Sequence, residues 1–377
     1  MNNETMEILL NRASCRDFTD HKIEKDVLDN ILEAGVHAPT GGNLQPFSII
    51  IISDDEMKHN IVEMGNQKLI EKAPVSLLFC IDFHRNKRWA ELEGAPYSAE
   101  RSIQNFWIAF QDTIIAAQNI CTAADSYGLG SVYLGTVMYH LVKLRNMLSL
   151  PEGVIPVVMV SMGYPASAKV IRKKLPLDVI VHREQYQEIT DDELQAVYDE
   201  KNNNLKIEVT EEKLDTIREV CRNVHGEEYA QKTLDKIEKD GFINAAQRYF
   251  GLHYIANAAL QSNEAFLDTL NELGMNWQHN YDPQNKFHLL SKKEAVDFTG
   301  AWKFDGDENI CLIVFDKGRL ILIEDEDSKT IFFAESMTEF FSMIGSMKIT
   351  FHLNEIENKY KSFTLFYAGN QHFARRI

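Results

Sequence analysis

From Ser102 to Ala124 the only charged residue is Asp112. Such a run limits what the chain can be, because a membrane span needs about 20 mostly apolar residues. Here Gln104, Asn105, Gln111, Gln118 and Asn119 interrupt it. Phe106, Ala109, Phe110, Thr113, Ile114, Ala117, Ile120, Cys121 and Ala124 recur at spacings of three and four. That period predicts a helix buried inside a large protein or at a dimer interface. Tyr127-Gly128 is its expected stop.

Around this segment helices alternate with short apolar runs. Glu24 to His37 reads as a helix, with Val27, Leu28, Ile31 and Leu32 on one stripe and Pro39 ending it. Ser48 to Ile52, Ser76 to Ile81, Ser131 to Leu134 and Val157 to Met162 suit buried strands. The expected class is α+β, a sheet flanked by helices. At 377 residues the chain exceeds one ordinary domain. Asp191-Asp192-Glu193 and Lys201-Asn202-Asn203-Asn204 read as a surface linker, closing a first domain over 1–195.

A helical segment, 196–293, is expected next. Leu214, Ile217, Val220 and Cys221 form one apolar face there, and Phe242, Ala245, Ala246, Tyr249 and Phe250 a second. The last domain, 294–377, reads as a small antiparallel barrel or sandwich. Its clearest element is a hairpin from Ile310 to Ile323, turning at Asp316-Lys317-Gly318. Thr330 to Phe333, Met347 to Leu353, Ser362 to Tyr367 and His372 to Arg376 add strands.

Charge and cysteines narrow the setting. With 39 Lys and Arg against 56 Asp and Glu, the net charge is -17. That disfavours nucleic acid or an anionic membrane as a partner. Five dispersed cysteines without a C-x-x-C pair suit free thiols in a reducing cytoplasm. No basic, apolar leader opens the chain at Met1-Asn2-Asn3-Glu4-Thr5, so a cytoplasmic protein is expected. The 12 histidines show no metal-ligand spacing, and His279 and His288 are expected as surface or core residues.

Four stretches carry candidate chemistry. Arg12-Ala13-Ser14-Cys15-Arg16 places a hydroxyl between two guanidinium groups, which suits a phosphate, although a turn cap would look the same. Lys169, Arg172, Lys173 and Lys174 cluster in a chain that is acidic elsewhere, a pattern a solvated surface also produces. Ala38-Pro39-Thr40-Gly41-Gly42-Asn43-Leu44-Gln45-Pro46-Phe47 is a compact loop. The amides of Asn43 and Gln45 can both donate and accept, while Pro, Thr, Gly and Asn are equally turn formers. Gly128-Leu129-Gly130-Ser131 leads to Leu134-Gly135. The third glycine is misplaced for a dinucleotide fingerprint, and the motif precedes a strand instead of following one.

In their order these stretches resemble the flavin-binding signature of the nitroreductase family of FMN-dependent oxidoreductases, over about Thr5 to Tyr186. The resemblance implies a nitroreductase-like fold with FMN as cofactor and NADH or NADPH as hydride donor. It implies a small-molecule electron acceptor, such as a nitro compound or quinone, and ping-pong exchange. By the same resemblance Arg12, Ser14, Arg16, Arg172 and Lys174 hold the phosphate, with Ala13 in the same element. Pro39, Thr40, Gly41, Asn43 and Gln45 line the ring and ribityl chain, often from the partner subunit of a homodimer. Asn66 adds a pyrimidine contact, and the backbone of Leu134 and Gly135 approaches the ring. The flavin carries the chemistry, so no side chain is named catalytic. A flavin reductase or dehalogenase of the same fold, or an FMN-containing sensor working through its C-terminal domain, are the alternatives. The segment from Asp82 through Tyr97 is expected as a lid. The end of the chain, from Phe298-Thr299-Gly300-Ala301-Trp302 to Phe373-Ala374-Arg375-Arg376-Ile377, resembles a lipocalin-like β-domain.

Overall fold

The computed structural model describes residues 3–258, 262–275, 290–306, 310–325, 328–342, 347–354, 356–357, 359–367 and 369–377. It divides into two compact units, Met1–Trp277 and Gln278–Ile377. His279 and His288 lie outside the described residues.

The first unit begins with α1 (Glu4–Leu10), α2 (Lys25–Val36), β1 (Phe47–Ile52), α3 (Asp55–Gly65), α4 (Leu69–Lys72), β2 (Val75–Asp82) and α5 (Phe83–Leu92). The long helix α6 (Ile103–Ser126) and β3 (Gly130–Leu134) follow, then α7 (Leu141–Met147), β4 (Val154–Gly163) and α8 (Leu177–Ile180). The strands form one antiparallel sheet in the order β1-β2-β4-β3.

Alternation along β2 decides the layering. Leu77 and Phe79 point to one face, against Ile31 of α2 and Ala117, Ile120 and Cys121 of α6. Leu78 and Cys80 point to the other, against Ile61 and Val62 of α3, Ile70 of α4 and Leu144 of α7. With both faces covered, β2 is buried along its whole length. That is why it reads as a continuous apolar run. Each large side chain buried this way contributes about 1.5–3 kcal/mol. Burial also pushes the Cys80 thiol up to about 12, which leaves it inert.

Helix α6 has two faces. Ala109, Asp112, Thr113, Ala116, Ala117, Ile120, Cys121 and Ala124 are buried. Ile103, Gln104, Trp107, Ile108, Gln111 and Ile115 are exposed. Among the described residues no helix is long and apolar enough to cross a membrane. Asp112 sits on the buried side, where its two carboxylate oxygens accept from the Gly41 N–H at 3.2 and 3.1 Å. Burial raises its pKa, and the Gly41 hydrogen bond partly opposes that.

Two expectations about the next segment are corrected. Asp191-Asp192-Glu193 is not linker but the first turn of α9 (Asp191–Lys201), where Thr190 and Glu193 form a capping box. Beyond α10 (Glu211–His225) and α11 (Glu227–Asp240), the face expected over 242–250 is also split. Ala245 is buried, while Ala246 and Phe250 are exposed. Arg248–His253 is wound as a π-helix, which breaks the 3.6-residue period. Ile217, Ile237 and Ile243 form the local core instead.

The second unit is a closed barrel of antiparallel strands: β5 (Gly300–Phe304), β6 (Ile310–Asp316), β7 (Arg319–Ile323), β8 (Lys329–Ala334), β9 (Glu339–Phe341), β10 (Lys348–Asn354), β11 (Lys359–Tyr367) and β12 (Asn370–Arg376). Of the two expected architectures, the barrel forms. The hairpin register pairs Asp316 with Arg319. Lys317 (φ 48) and Gly318 (φ 85) are both left-handed, the two-residue turn that matches strand twist. Phe298, Trp302, Phe332, Phe340, Phe351 and Phe363 fill the core. The Phe351 ring centroid lies 5.3 Å from Phe340, 5.4 Å from Phe363 and 5.5 Å from Trp302.

Phe351→Ala should lower the barrel's unfolding free energy by about 3–5 kcal/mol, because a ring this enclosed leaves a cavity. Urea denaturation followed by tryptophan fluorescence reads this, and a loss under about 1 kcal/mol would mean the core collapses to fill the gap. Asp112 gives a pH test. Its folded-state pKa is raised, so its contribution is fully present below the ordinary value of 3.8 and lost as pH rises through the raised one. Wild type should therefore lose Tm relative to Asp112→Asn as pH climbs above that range; calorimetry showing a pH-independent difference would contradict this.

Candidate functional site

The segment after α1 is tied to the sheet edge. Ser14 pairs in parallel with Ser131 of β3, and the Cys15 N–H donates to the Ser131 carbonyl at 3.0 Å. Gly130 makes the approach possible, since a Cβ there would stand 2.4 Å from Cys15 Cβ. Ala13, Cys15 and Phe18 are buried, while Ser14 and Arg16 are exposed. Arg12 lies over the Tyr133 ring at 5.5 Å. Its Nε and Nη2 are buried with no hydrogen-bond partner, as is Ser131 Oγ. Unmet guanidinium donors are costly, and an anion is a group that could satisfy them.

The chain leaving β4 returns to the same segment. Thr19 N–H donates to the Tyr164 carbonyl at 2.9 Å, and Ala166 N–H to the Asp17 carbonyl at 3.1 Å. Of the four basic residues that follow, Lys169 pairs with Asp125 and Lys173 pairs with Glu200 at 2.6 Å. Arg172 and Lys174 are exposed and have no ion-pair partner among the described residues. No described hydrogen bond or ion pair joins either of them to Arg12 or Arg16.

The loop Pro39–Gln45 is held from three helices. Gly41 is bonded to Asp112 of α6. Gln45 Nε2 donates to the Val36 carbonyl of α2 at 3.0 Å, and Gln45 N–H to Thr40 Oγ1 at 3.2 Å. From α5, Asn86 Nδ2 donates to the Leu44 carbonyl at 3.2 Å, and Arg85 donates to the Phe47 carbonyl at 2.8 Å. Asn43 (φ 55) and Gln45 (φ 47) are left-handed, strain that only a well-anchored loop sustains. The segment expected as a lid therefore begins as an anchoring helix, with Phe83, Asn86 and Ala90 buried.

Asn66 caps α3 in a left-handed conformation (φ 50), with its side chain outward. Gly65 and Gln67 next to it share an apolar recess with Leu134, Thr136 and His140. The Asn66 turn and the Leu134-Gly135 end of β3 thus meet. Gly135 is exposed, and a Cβ on it would touch nothing within 4 Å. Open space lies over that backbone.

Two groups result, and they are far apart. Arg12, Ser14, Arg16, Asn66, Leu134 and Gly135 gather around β3, one edge of the sheet, whereas Pro39–Gln45 leads into β1, the opposite edge. Three strand spacings, roughly 14 Å, separate those edges. The register widens the gap: Phe47 is level with Ile81 and Ile155, beyond the end of β3, where Leu134 faces Met159. The sequence assigns no site role to Tyr133 and His140, and places Arg85 and Asn86 only within the expected lid. Asp112 did carry a signal, as the one charge between Ser102 and Ala124.

The Nitroreductase family model matches residues 9–164. The "FMN reductase (NADPH)" of Bacillus subtilis is 34% identical over 192 residues, covering 50% of this chain and 77% of that protein. The "Oxygen-insensitive NADPH nitroreductase" of Salmonella typhimurium is 32% identical over 198 residues, covering 52% and 80%. The structure of the NADPH:FMN oxidoreductase from Vibrio harveyi complexed with NAD+ aligns with a TM-score of 0.54 at 25% identity, over 73% of this chain and 99% of that one. With the antiparallel sheet, its flanking helices and the ordered Arg-Ser-Arg, Asn-Leu-Gln and Gly-Leu-Gly-Ser elements, the chain belongs to the nitroreductase family.

Proposed function

We propose that the protein is an FMN-dependent NAD(P)H oxidoreductase whose acceptors are nitroaromatics, quinones or free flavin. The observation that carries this reading is the edge of β3. Partnerless guanidinium atoms of Arg12 lie beside β3, which carries the Ser131 hydroxyl and is followed directly by the open backbone of Gly135. These groups fit a phosphate at one end and a flat ring over bare backbone at the other. Arg12, Ser14 and Arg16 would bind the phosphate, with Arg172 and Lys174 completing its charge balance. Leu134 and Gly135 would border the ring, and Asn66 its pyrimidine edge. Bound FMN supplies two-electron transfer between a reduced pyridine nucleotide and an acceptor. The chain's part is to hold phosphate, orient the ring and exclude water. Donor and acceptor using one open face in turn gives ping-pong kinetics.

The separated loop supports a homodimer. Pro39, Thr40, Gly41, Asn43 and Gln45 stand at the far corner of the sheet from Arg12, so they serve the partner's flavin and the partner's loop serves this one. The exposed Trp107, Ile108 and Ile115 on α6 offer an apolar surface beside that loop, Ile108 lying 3.0 Å from where a Gly41 Cβ would be.

Purified protein should show flavin absorbance, as isolated or after adding FMN, and bleach with NADPH or NADH under anaerobic conditions. Protein that stays colourless with excess FMN would rule the reading out. Light scattering should report twice the chain mass. Trp107→Glu combined with Ile115→Glu should yield a folded monomer that binds FMN at least tenfold more weakly; a monomer with undiminished affinity would show that one chain makes the whole site.

A further inference from the structure

We propose that Tyr133 is a positioning residue for the phosphate arm, its ring fixing the Arg12 guanidinium at the β3 edge. This rests on the FMN reading above and adds a residue that acts through Arg12. Several cations of this unit are fixed by carboxylates, among them Lys58 by Asp55, Lys87 by Glu100 and Lys169 by Asp125. Arg12 has no such partner among the described residues. What it has is the Tyr133 ring, 5.5 Å from its guanidinium carbon.

The difference suits the task. A carboxylate would occupy the guanidinium's in-plane donors and compete with an incoming phosphate. An aromatic face attracts the cation through the plane of the group and leaves the N–H edge free. Nε and Nη2 are indeed left without partners. Tyr133 is itself fixed: its hydroxyl donates to Gln118 Oε1 at 3.3 Å, and Gln118 Nε2 donates to Thr122 Oγ1 at 3.2 Å, both on α6. Burial raises the phenol's pKa, so it stays neutral beside the cation. Ring, strand and long helix together form a fixed seat for one guanidinium.

The test compares FMN with riboflavin, which lacks the phosphate, by titrating flavin fluorescence against full-length protein. Tyr133→Leu should weaken FMN binding roughly three- to thirtyfold, the range of a partly desolvated cation–π contact, and change riboflavin less than about twofold. Tyr133→Phe, which keeps the ring, should hold FMN affinity within about threefold. On an Arg12→Ala background, Tyr133→Leu should add almost nothing, because the two act as one unit. If Tyr133→Leu does not fold, Tyr133→Ile, which suits a strand, takes its place. Equal weakening of both flavins, or full additivity with Arg12→Ala, would overturn the proposal. Arg12→Ala with unchanged FMN affinity would sink the phosphate reading itself. Normal Tyr133→Leu affinity alongside a damaged Arg12→Ala would sink only the role of Tyr133.

Discussion

A single short pairing governs the candidate site: residues 14 and 15 against Ser131 on the free edge of β3. An edge strand exposes unmet backbone groups and usually has to be covered. Here the cover is the segment carrying Arg12, Ser14 and Arg16, so closing the sheet edge also delivers the cations. Extended backbone then sorts the side chains by alternation, Ala13 and Cys15 inward, Ser14 and Arg16 outward. Gly130 is the hinge of this arrangement, because any side chain there would push Cys15 away and carry both arginines with it.

The sheet's connectivity also separates the two groups of candidate residues, which is the ground for the homodimer proposed above. Antiparallel order β1-β2-β4-β3 puts the first and third strands at opposite margins. The Pro39–Gln45 loop is locked to α2, α5 and α6, and its strained Asn43 and Gln45 are held by those bonds, so it has no freedom to swing across. In the proposed homodimer, a rigid loop that stands away from Arg12 of its own chain would serve the second subunit. Burying Asp112 to hold Gly41 costs desolvation, and this fixed geometry is what it secures.

Much of this was legible beforehand because it follows local rules. The β2 run is continuously apolar since both faces are covered, and α6 shows its period since one face is. The Lys317-Gly318 turn announces itself through residues that tolerate left-handed backbone. What was illegible depends on partners distant in sequence. Nothing in Asp191-Asp192-Glu193 distinguishes a linker from an acidic first turn except Thr190, whose capping role needs Glu193 in register. The split of Ala245 from Ala246 and Phe250 comes from a π-helical turn, which no period forecasts. Likewise the basic cluster reads as one feature, yet Asp125 and Glu200, 44 and 27 residues away, take Lys169 and Lys173 out of it.

That division of cations bears on how an acidic chain holds a dianionic phosphate at all. At a net charge of -17 the global field repels such a ligand, but in physiological salt the field decays over about 8 Å. Only the nearest charges then matter, and what counts is whether their donors are already engaged. Lys169 and Lys173 are neutralised locally and contribute to shape. Arg12 is held by a ring and keeps its donors, and Arg16, Arg172 and Lys174 stand exposed without carboxylate partners among the described residues. Selective pairing thus leaves Arg12, Arg16, Arg172 and Lys174 without carboxylate partners among the described residues of a chain that is acidic as a whole. Affinity for a phosphate therefore depends on which cations the fold leaves unpaired, and their number in the sequence is secondary.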